Sequence, residues 1–269
     1  MARLLGIAPL SHLELSPPQM VTNAAQAGYD TLGLRLIAAT PEEPQHNCLR
    51  GTTLMHETAR RLADTGLAVL DVEIFRLKPD TQVADYEAAL AAGALLGARH
   101  ALAAPQDGDA ARLAHTLGAF ADLAARYGLG VDLEPTPWYE VSTLDACAKI
   151  IAATGRDDIG IVVDAIHFDR AGETPASIRA LPTTLFRYAQ LCDAPAARPS
   201  DLPTLLLQAR AERMMPGDGG LDLARLIRAL PDESPLSLEI PMNTLATTMP
   251  ASERARRMLA RTRELLAKL

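Results

Sequence analysis

Short apolar runs recur along the chain, separated by longer stretches in which apolar residues return every three or four positions. The runs read as buried strands and the stretches between them as amphipathic helices. Eight runs qualify as strands: residues 4–8 (LLGIA), 29–36 (YDTLGLRL), 67–75 (LAVLDVEIF), 100–104 (HALAA), 129–134 (LGVDLE), 159–164 (IGIVVD), 185–191 (LFRYAQL) and 236–240 (LSLEI). Strand and helix alternating from end to end is the pattern of repeated βα units with parallel strands. Eight such units predict an α/β fold, a (β/α)8 barrel, with residues 1–269 as a single domain of a length such barrels routinely reach.

Local signals agree with this reading. Ser16 followed by Pro17 and Pro18 is an N-cap with proline in the first helical turn, and Gly28 ends that helix. Gly66, Gly97, Gly128 and Gly155 fall just past other helical runs, where a residue able to take positive φ is wanted. The Arg-rich segment 252–268 reads as a closing helix whose charges form a solvated face. Two connections exceed a minimal βα loop, one after the second strand (IAATPEEPQHNCLRGTT) and one from Asp193 through RMMPGDGG. Both follow carboxyl ends of strands, the catalytic face of a barrel, where they could cover a substrate.

Composition narrows the function classes. An apolar fraction of 48% with only 4% aromatic residues describes a core of Leu, Ala, Val and Ile. A net charge of −7 with no Lys/Arg run outside the last helix argues against nucleic acid as a partner. Three cysteines, Cys48, Cys147 and Cys192, are odd in number and widely spaced, which suggests neither a disulfide framework nor a thiolate zinc site. No stretch approaches the ~18 apolar residues of a membrane helix, and the N-terminal residues lack the features of a signal peptide. A cytoplasmic protein is expected.

Chemistry gathers at the ends of the last four strands. The fifth ends in Glu134, the sixth in Asp164, the seventh in Gln190 and the eighth in Glu239. A polar side chain closing an apolar strand is costly to bury unless something compensates it. On neighbouring strands of a barrel these four would converge at its mouth. Three carboxylates and one amide oxygen make a hard oxygen site for one divalent metal, Mn2+, Mg2+ or Co2+, with Zn2+ a further candidate. The competing reading is four independent strand-end residues that cap helices or pair with arginines.

Taken together, Glu134, Asp164, Gln190 and Glu239, the Asp-x-x-His step from Asp164 to His167, and Pro216-Gly217-Asp218-Gly219 resemble the xylose-isomerase-like TIM barrel superfamily, the sugar phosphate isomerases/epimerases, over the whole chain. The resemblance implies that the four strand-end residues bind one metal, that His167 contacts substrate, and that the protein forms a homodimer. Many relatives have histidine where this chain has Gln190. Some dehydratases carry histidine and lysine where Thr136 and Cys192 stand here.

The expected reaction is proton transfer beside a carbonyl of a small polyhydroxylated substrate, with the metal as Lewis acid and Glu134 and Glu239 as acid and base. An isomerase or epimerase of a sugar or cyclitol is the first reading and a 3-dehydroshikimate dehydratase-like lyase the second. A barrel that binds without catalysis is the third. Trp138, the only tryptophan, could stack on a substrate ring or simply pack. Glu73 and Arg35, near strand ends, could bind substrate hydroxyls or a carboxylate, against the alternative of a structural salt bridge. Arg213, beside the PGDG turn, could reach an anionic group, while Gly217 and Gly219 serve a tight turn rather than a phosphate cradle.

Overall fold

In a computed structural model that describes residues 3–269, the apolar runs form a row of nine parallel strand segments. They are β1 (Leu5–Ile7), β2 (Thr31–Arg35), β3 (Ala68–Leu77), β4 (His100–Pro105), β5 (Gly130–Leu133), β6 (Ile159–Ile161), β7 (Val163–Asp164), β8 (Ala189–Leu191) and β9 (Leu236–Leu238). The row runs β6-β5-β4-β3-β2-β1-β9-β8-β7. Its two ends, β6 and β7, are pieces of one strand separated only by Val162, whose N–H donates to the Leu133 carbonyl at 2.8 Å. The eight expected strands are therefore all present, and the row curls into a parallel barrel with helices outside, a TIM barrel.

Helix boundaries follow the local signals. Ser16 and Gln19 form a reciprocal capping box at the start of the helix Pro17–Ala27, and Gly28 leaves it at φ 89°. Gly66, Gly97, Gly128 and Gly155 also take positive φ, each between a helix and the next strand. The last helix runs Ala251–Leu266 with most of its charges in solvent, but Arg254 is buried and pairs with Glu14, a correction to the fully solvated face expected there. Arg254 lies on the side of the helix turned to the barrel, where its guanidinium caps the Met249 carbonyl at 2.8 Å. The seventh strand is shorter than its apolar run, because residues 183–185 turn and pairing begins only at Ala189.

β3 departs most from a regular strand. Leu32 pairs with Val69 and Gly33 with Asp71, so Leu70 is an extra residue; a second irregularity follows before Phe75. A bulge shifts the side-chain alternation by one. As a result Asp71, Glu73 and Arg76 lie on the interior side, and the strand continues to Leu77 instead of ending near Glu73. Gly33 makes room for this: a Cβ there would stand 2.6 Å from Asp71 Oδ1.

The main core fills the space between sheet and helices. Inside the barrel, a separate small apolar cluster of Leu70, Leu102, Val162 and Tyr188 underlies the mouth. Among the described residues no helix is long and apolar enough to cross a membrane.

Candidate active site

Glu134 follows β5 directly, its N–H held by the Ala103 carbonyl at 2.9 Å, and Glu239 follows β9 with its N–H on Leu191 at 3.1 Å. Asp164 ends β7 and also caps the short helix Ala165–Arg170, its Oδ1 accepting from the N–H groups of Ile166 (2.9 Å) and His167 (3.0 Å). That cap turns the chain sharply enough to bring His167 back over the strand end. Its Nε2 lies 3.9 Å from Glu134 Oε1. Gln190, central in β8, donates from Nε2 to Glu239 Oε1 at 3.3 Å, which leaves its Oε1 without a partner. All five side chains are buried.

A cavity of about 250 Å³ opens in front of this group. Glu134, Glu239 and His167 line it, and the two long connections contribute Ala39, Thr40 and Glu43 on one side and Ala209 and Arg210 on the other. Several polar atoms of its lining residues are buried and have no hydrogen-bond partner among the described residues, Thr136 Oγ1, Trp138 Nε1 and Glu73 Oε1 among them. Unmet hydrogen-bonding capacity beside a cavity is what a ligand's hydroxyls would satisfy.

The electrostatics separate the acids. Burial, reinforced by the charges of Glu239 and Asp164, pushes the Glu134 carboxyl well above its ordinary range. Glu239 is pushed to about 8 by burial, partly opposed by Arg213 and reinforced by Glu73 and Asp164. Burial acts in the same direction on Asp164, but Arg213 and His167 more than offset it and hold that carboxyl below its usual value. His167 is lowered to about 4, mainly by burial. Two carboxyls raised above their ordinary range thus flank one held below it, a division set by environment.

Several expected roles change. Arg213, expected to reach a substrate anion, is 4% exposed and holds Asp164 Oδ2 at 2.6 Å and Glu239 Oε2 at 2.9 Å, because the PGDG turn folds it inward beneath the mouth. Arg35 and Glu73 pair with each other at 3.0 Å, and Arg35 also holds Glu43 of the loop after β2 at 3.1 Å, so a structural bridge occupies the arginine. Trp138 stands edge-on to His167 at 5.0 Å with Arg210 over its ring at 4.9 Å, so the cation covers one ring face. Gly217 and Gly219, by contrast, keep the turn role expected of them, and their N–H groups donate to the Asp193 carboxylate.

Two lining residues escaped the sequence reading. Arg76 and Arg210 both border the cavity, and among the described residues neither forms a salt bridge. Arg76 lies on the stretch of β3 beyond the expected strand end, and Arg210 stands three residues before Arg213. Arg76 lies within β3 and Arg210 ends the helix Leu202–Arg210, and neither is a polar residue that closes an apolar run, so only proximity reveals either one.

The donor set suits a metal. Atoms of Glu134, Asp164 and His167 lie within 4.8 Å of one another and could hold an ion. Burial and the neighbouring negative charges lift the Glu134 and Glu239 carboxyls, a cost a dication would relieve, and Gln190 Oε1 has no hydrogen-bond partner among the described residues.

A barrel whose strand ends gather carboxylates around a polar cavity defines a class of catalytic α/β barrels. More narrowly, residues 21–265 match the family model described as xylose isomerase-like TIM barrel, and the chain belongs to that family. A 3-dehydroshikimate dehydratase of Pseudomonas aeruginosa is 30% identical over 143 residues, 52% of this chain and 22% of that protein. An inosose isomerase of Bacillus velezensis is 29% identical over 119 residues, 44% of this chain and 40% of that protein. The matched stretches span less than half the length of either relative. Among solved structures, the IolI protein with a binding zinc atom shares the fold with a TM-score of 0.80 at 19% identity, over 98% of both chains. The two curated relatives are thus named for different reactions, one a dehydration and the other an isomerisation.

Proposed function

We propose that the chain is a metal-dependent enzyme that moves a proton at the carbon beside a carbonyl of a small polyhydroxylated substrate, and that this substrate carries a carboxylate. One observation carries the reading: Glu134 and Glu239, both carboxyls lifted above their ordinary range by burial, face the same cavity as Arg76 and Arg210, two arginines that form no salt bridge among the described residues. A neutral sugar gives no reason for unpaired cations at the mouth of a site.

Glu134, Asp164, Gln190 and Glu239 are the proposed ligands, with His167 as a nitrogen donor in reach. Oxygen donors favour Mg2+, Mn2+ or Co2+, and the imidazole admits Zn2+, the ion named for the structural relative. A bound divalent ion would polarise the substrate carbonyl as a Lewis acid. Arg76 and Arg210 orient the ring by its carboxylate, while Thr136 Oγ1 and Trp138 Nε1 take its hydroxyls. One glutamate removes the proton beside the carbonyl. If the other glutamate protonates the β-hydroxyl, that group leaves as water with the C–O electrons while the new C=C forms. If it instead returns a proton, the product is an epimer when the proton reaches the same carbon from the opposite face and an isomer when it reaches the neighbouring carbon. An anionic ring favours the first outcome, and the dehydratase relative supports it. The inosose isomerase relative supports the second, with a neutral substrate.

The test is to incubate protein loaded with each of the four ions with 3-dehydroshikimate and, separately, with an inosose. Ultraviolet absorbance of the aromatic acid formed by loss of water is the expected result. Turnover of the inosose alone would replace dehydration by isomerisation, and turnover of neither would remove the proton-transfer reading.

A further inference from the structure

Arg213 is fixed more completely than a residue waiting for substrate needs to be. Its Nε donates to the Ala209 carbonyl (2.7 Å). Its Nη1 donates to Asp164 Oδ2 (2.6 Å), the Glu239 carbonyl (3.0 Å) and Cys192 Sγ (3.5 Å). Its Nη2 meets Glu239 Oε2 at 2.9 Å. The guanidinium thus bridges two of the four proposed metal ligands from a position inside the protein.

The backbone behind it is clamped with equal care. Asp193, three residues after Gln190, is buried and among the described residues forms no salt bridge; its carboxylate accepts four backbone N–H groups. They come from Ala194 (2.8 Å), Gly217 (2.9 Å), Gly219 (3.0 Å) and Leu221 (3.0 Å). Asp193 and Met214 also exchange both backbone hydrogen bonds at 2.8 Å, and the Arg213 N–H is held by Pro241 at 2.8 Å. A Cβ on Gly219 would stand 2.3 Å from Asp193 Oδ1, so only glycine lets the turn close over this carboxylate.

We propose that Arg213 is the resident counter-cation of the carboxylate cluster, and that Asp193 is the positioning residue that keeps it there. The proposal rests on the metal reading above. Fully ionised, Glu134, Asp164 and Glu239 carry three negative charges, and Arg213 removes one. A single divalent ion then brings the cluster to neutrality, whereas a second would leave it doubly positive in a buried site. Arg213 therefore does two things. It keeps the cluster compatible with the folded state before metal arrives, since breaking a buried pair strands the remaining charges, and it limits the site to one ion. Arginine and metal share Asp164 and Glu239, so their stabilising effects are coupled, and removal of one makes the other matter more.

The experiment compares melting temperatures of wild type, Arg213→Met and Asp193→Asn, each with chelator and with saturating Mn2+, and counts bound Mn2+ by equilibrium dialysis. With chelator, Arg213→Met is expected to melt roughly 10 °C or more below wild type, the effect of stranded buried carboxylates in a chain of this size. Mn2+ should raise the melting temperature of Arg213→Met by more than it raises that of wild type. Asp193→Asn should change in the same direction by less, because an amide can accept only part of the four N–H bonds. Equal stability of Arg213→Met and wild type in chelator, or equal Mn2+ shifts in the two, would overturn the proposal. If Arg213→Met does not fold in chelator, Arg213→Lys is read the same way: it keeps the charge, loses the fork, and should fall between the two. A wild type that binds none of the four ions would remove the metal reading, while the chelator comparison would still decide whether Arg213 is the counter-cation.

Discussion

Two buried polar regions lie one above the other in this barrel, and they differ in what stands in front of them. At the mouth, Glu134, Glu239, His167 and Glu73 face a cavity of about 250 Å³. One layer down, Asp71 accepts from the Tyr188 hydroxyl at 3.2 Å, and Asp132 meets His100 at 2.7 Å and Arg187 at 3.7 Å. None of these lower residues lines the cavity, and Tyr188 belongs to a small apolar cluster with Leu70, Leu102 and Val162. Both regions contain buried oxygens without a hydrogen-bond partner among the described residues, Asp71 Oδ1 and Asp132 Oδ1 below and Gln190 Oε1 and Glu73 Oε1 above. An unpaired buried oxygen is therefore not in itself a sign of function. Space for a ligand is what separates the two.

The largest effect expected from this difference is at Glu134. Glu134→Gln should lower kcat/KM by roughly 10²–10⁴-fold, the range of a lost proton carrier, with far-UV circular dichroism unchanged. Turnover within threefold of wild type would erase the distinction between the regions.

Next in size is a stability effect below the mouth. Burial, partly opposed by the Tyr188 hydroxyl and reinforced by Glu239 and Asp132, raises the Asp71 carboxyl to about 7 from an ordinary value of 3.8. The unfolded chain gives up this proton near pH 4 and the folded chain only near pH 7, so between those values the native state binds more protons. Asp71 thus favours folding fully below about pH 4, and its contribution is lost as pH rises through that window. Asp71→Asn keeps an acceptor for Tyr188 and removes the titration. It should be more stable than wild type at pH 8 by on the order of a few kcal/mol, measured by urea unfolding at pH 4, 6 and 8. The same difference in stability at all three pH values would exclude Asp71 as its source.

A smaller effect separates two kinds of arginine within the mouth. Arg76→Ala and Arg210→Ala should each raise KM for a carboxylate-bearing substrate by roughly 10-fold, the worth of a charge-assisted hydrogen bond, and leave KM for a neutral one unchanged. A parallel loss for both substrates would make these arginines structural. The smallest change belongs to Trp138→Phe, which keeps a ring against His167 and loses the indole N–H. A two- to fivefold rise in KM is expected, about 1 kcal/mol or less; no change would remove that N–H from substrate binding.

Much of the fold was legible in the sequence because its determinants are local. Gly28, Gly66, Gly97, Gly128 and Gly155 each end a helix at positive φ, which any reader of residue types can anticipate. Strand-end Glu134, Asp164, Gln190 and Glu239 stood out because a polar residue closing an apolar run is locally anomalous, and the fold brings all four to one mouth. Arg76 and Arg210 have no such anomaly, and their lack of partners is a statement about distant residues.

The sequence by itself determined the βα repeat, the helix stops and the candidates at the last four strand ends, since helix and strand periodicity and glycine's conformational freedom act over a few residues. Only the tertiary structure decided that one extra residue in β3 turns Asp71 and Glu73 inward. It alone also decided that Arg213, 49 residues from Asp164, pairs with the carboxylate cluster. The physical reason is the same in both cases. Side-chain alternation reverses at a single bulge, and a buried charge settles beside whichever opposite charge the fold brings near, a pairing that spacing along the chain does not encode.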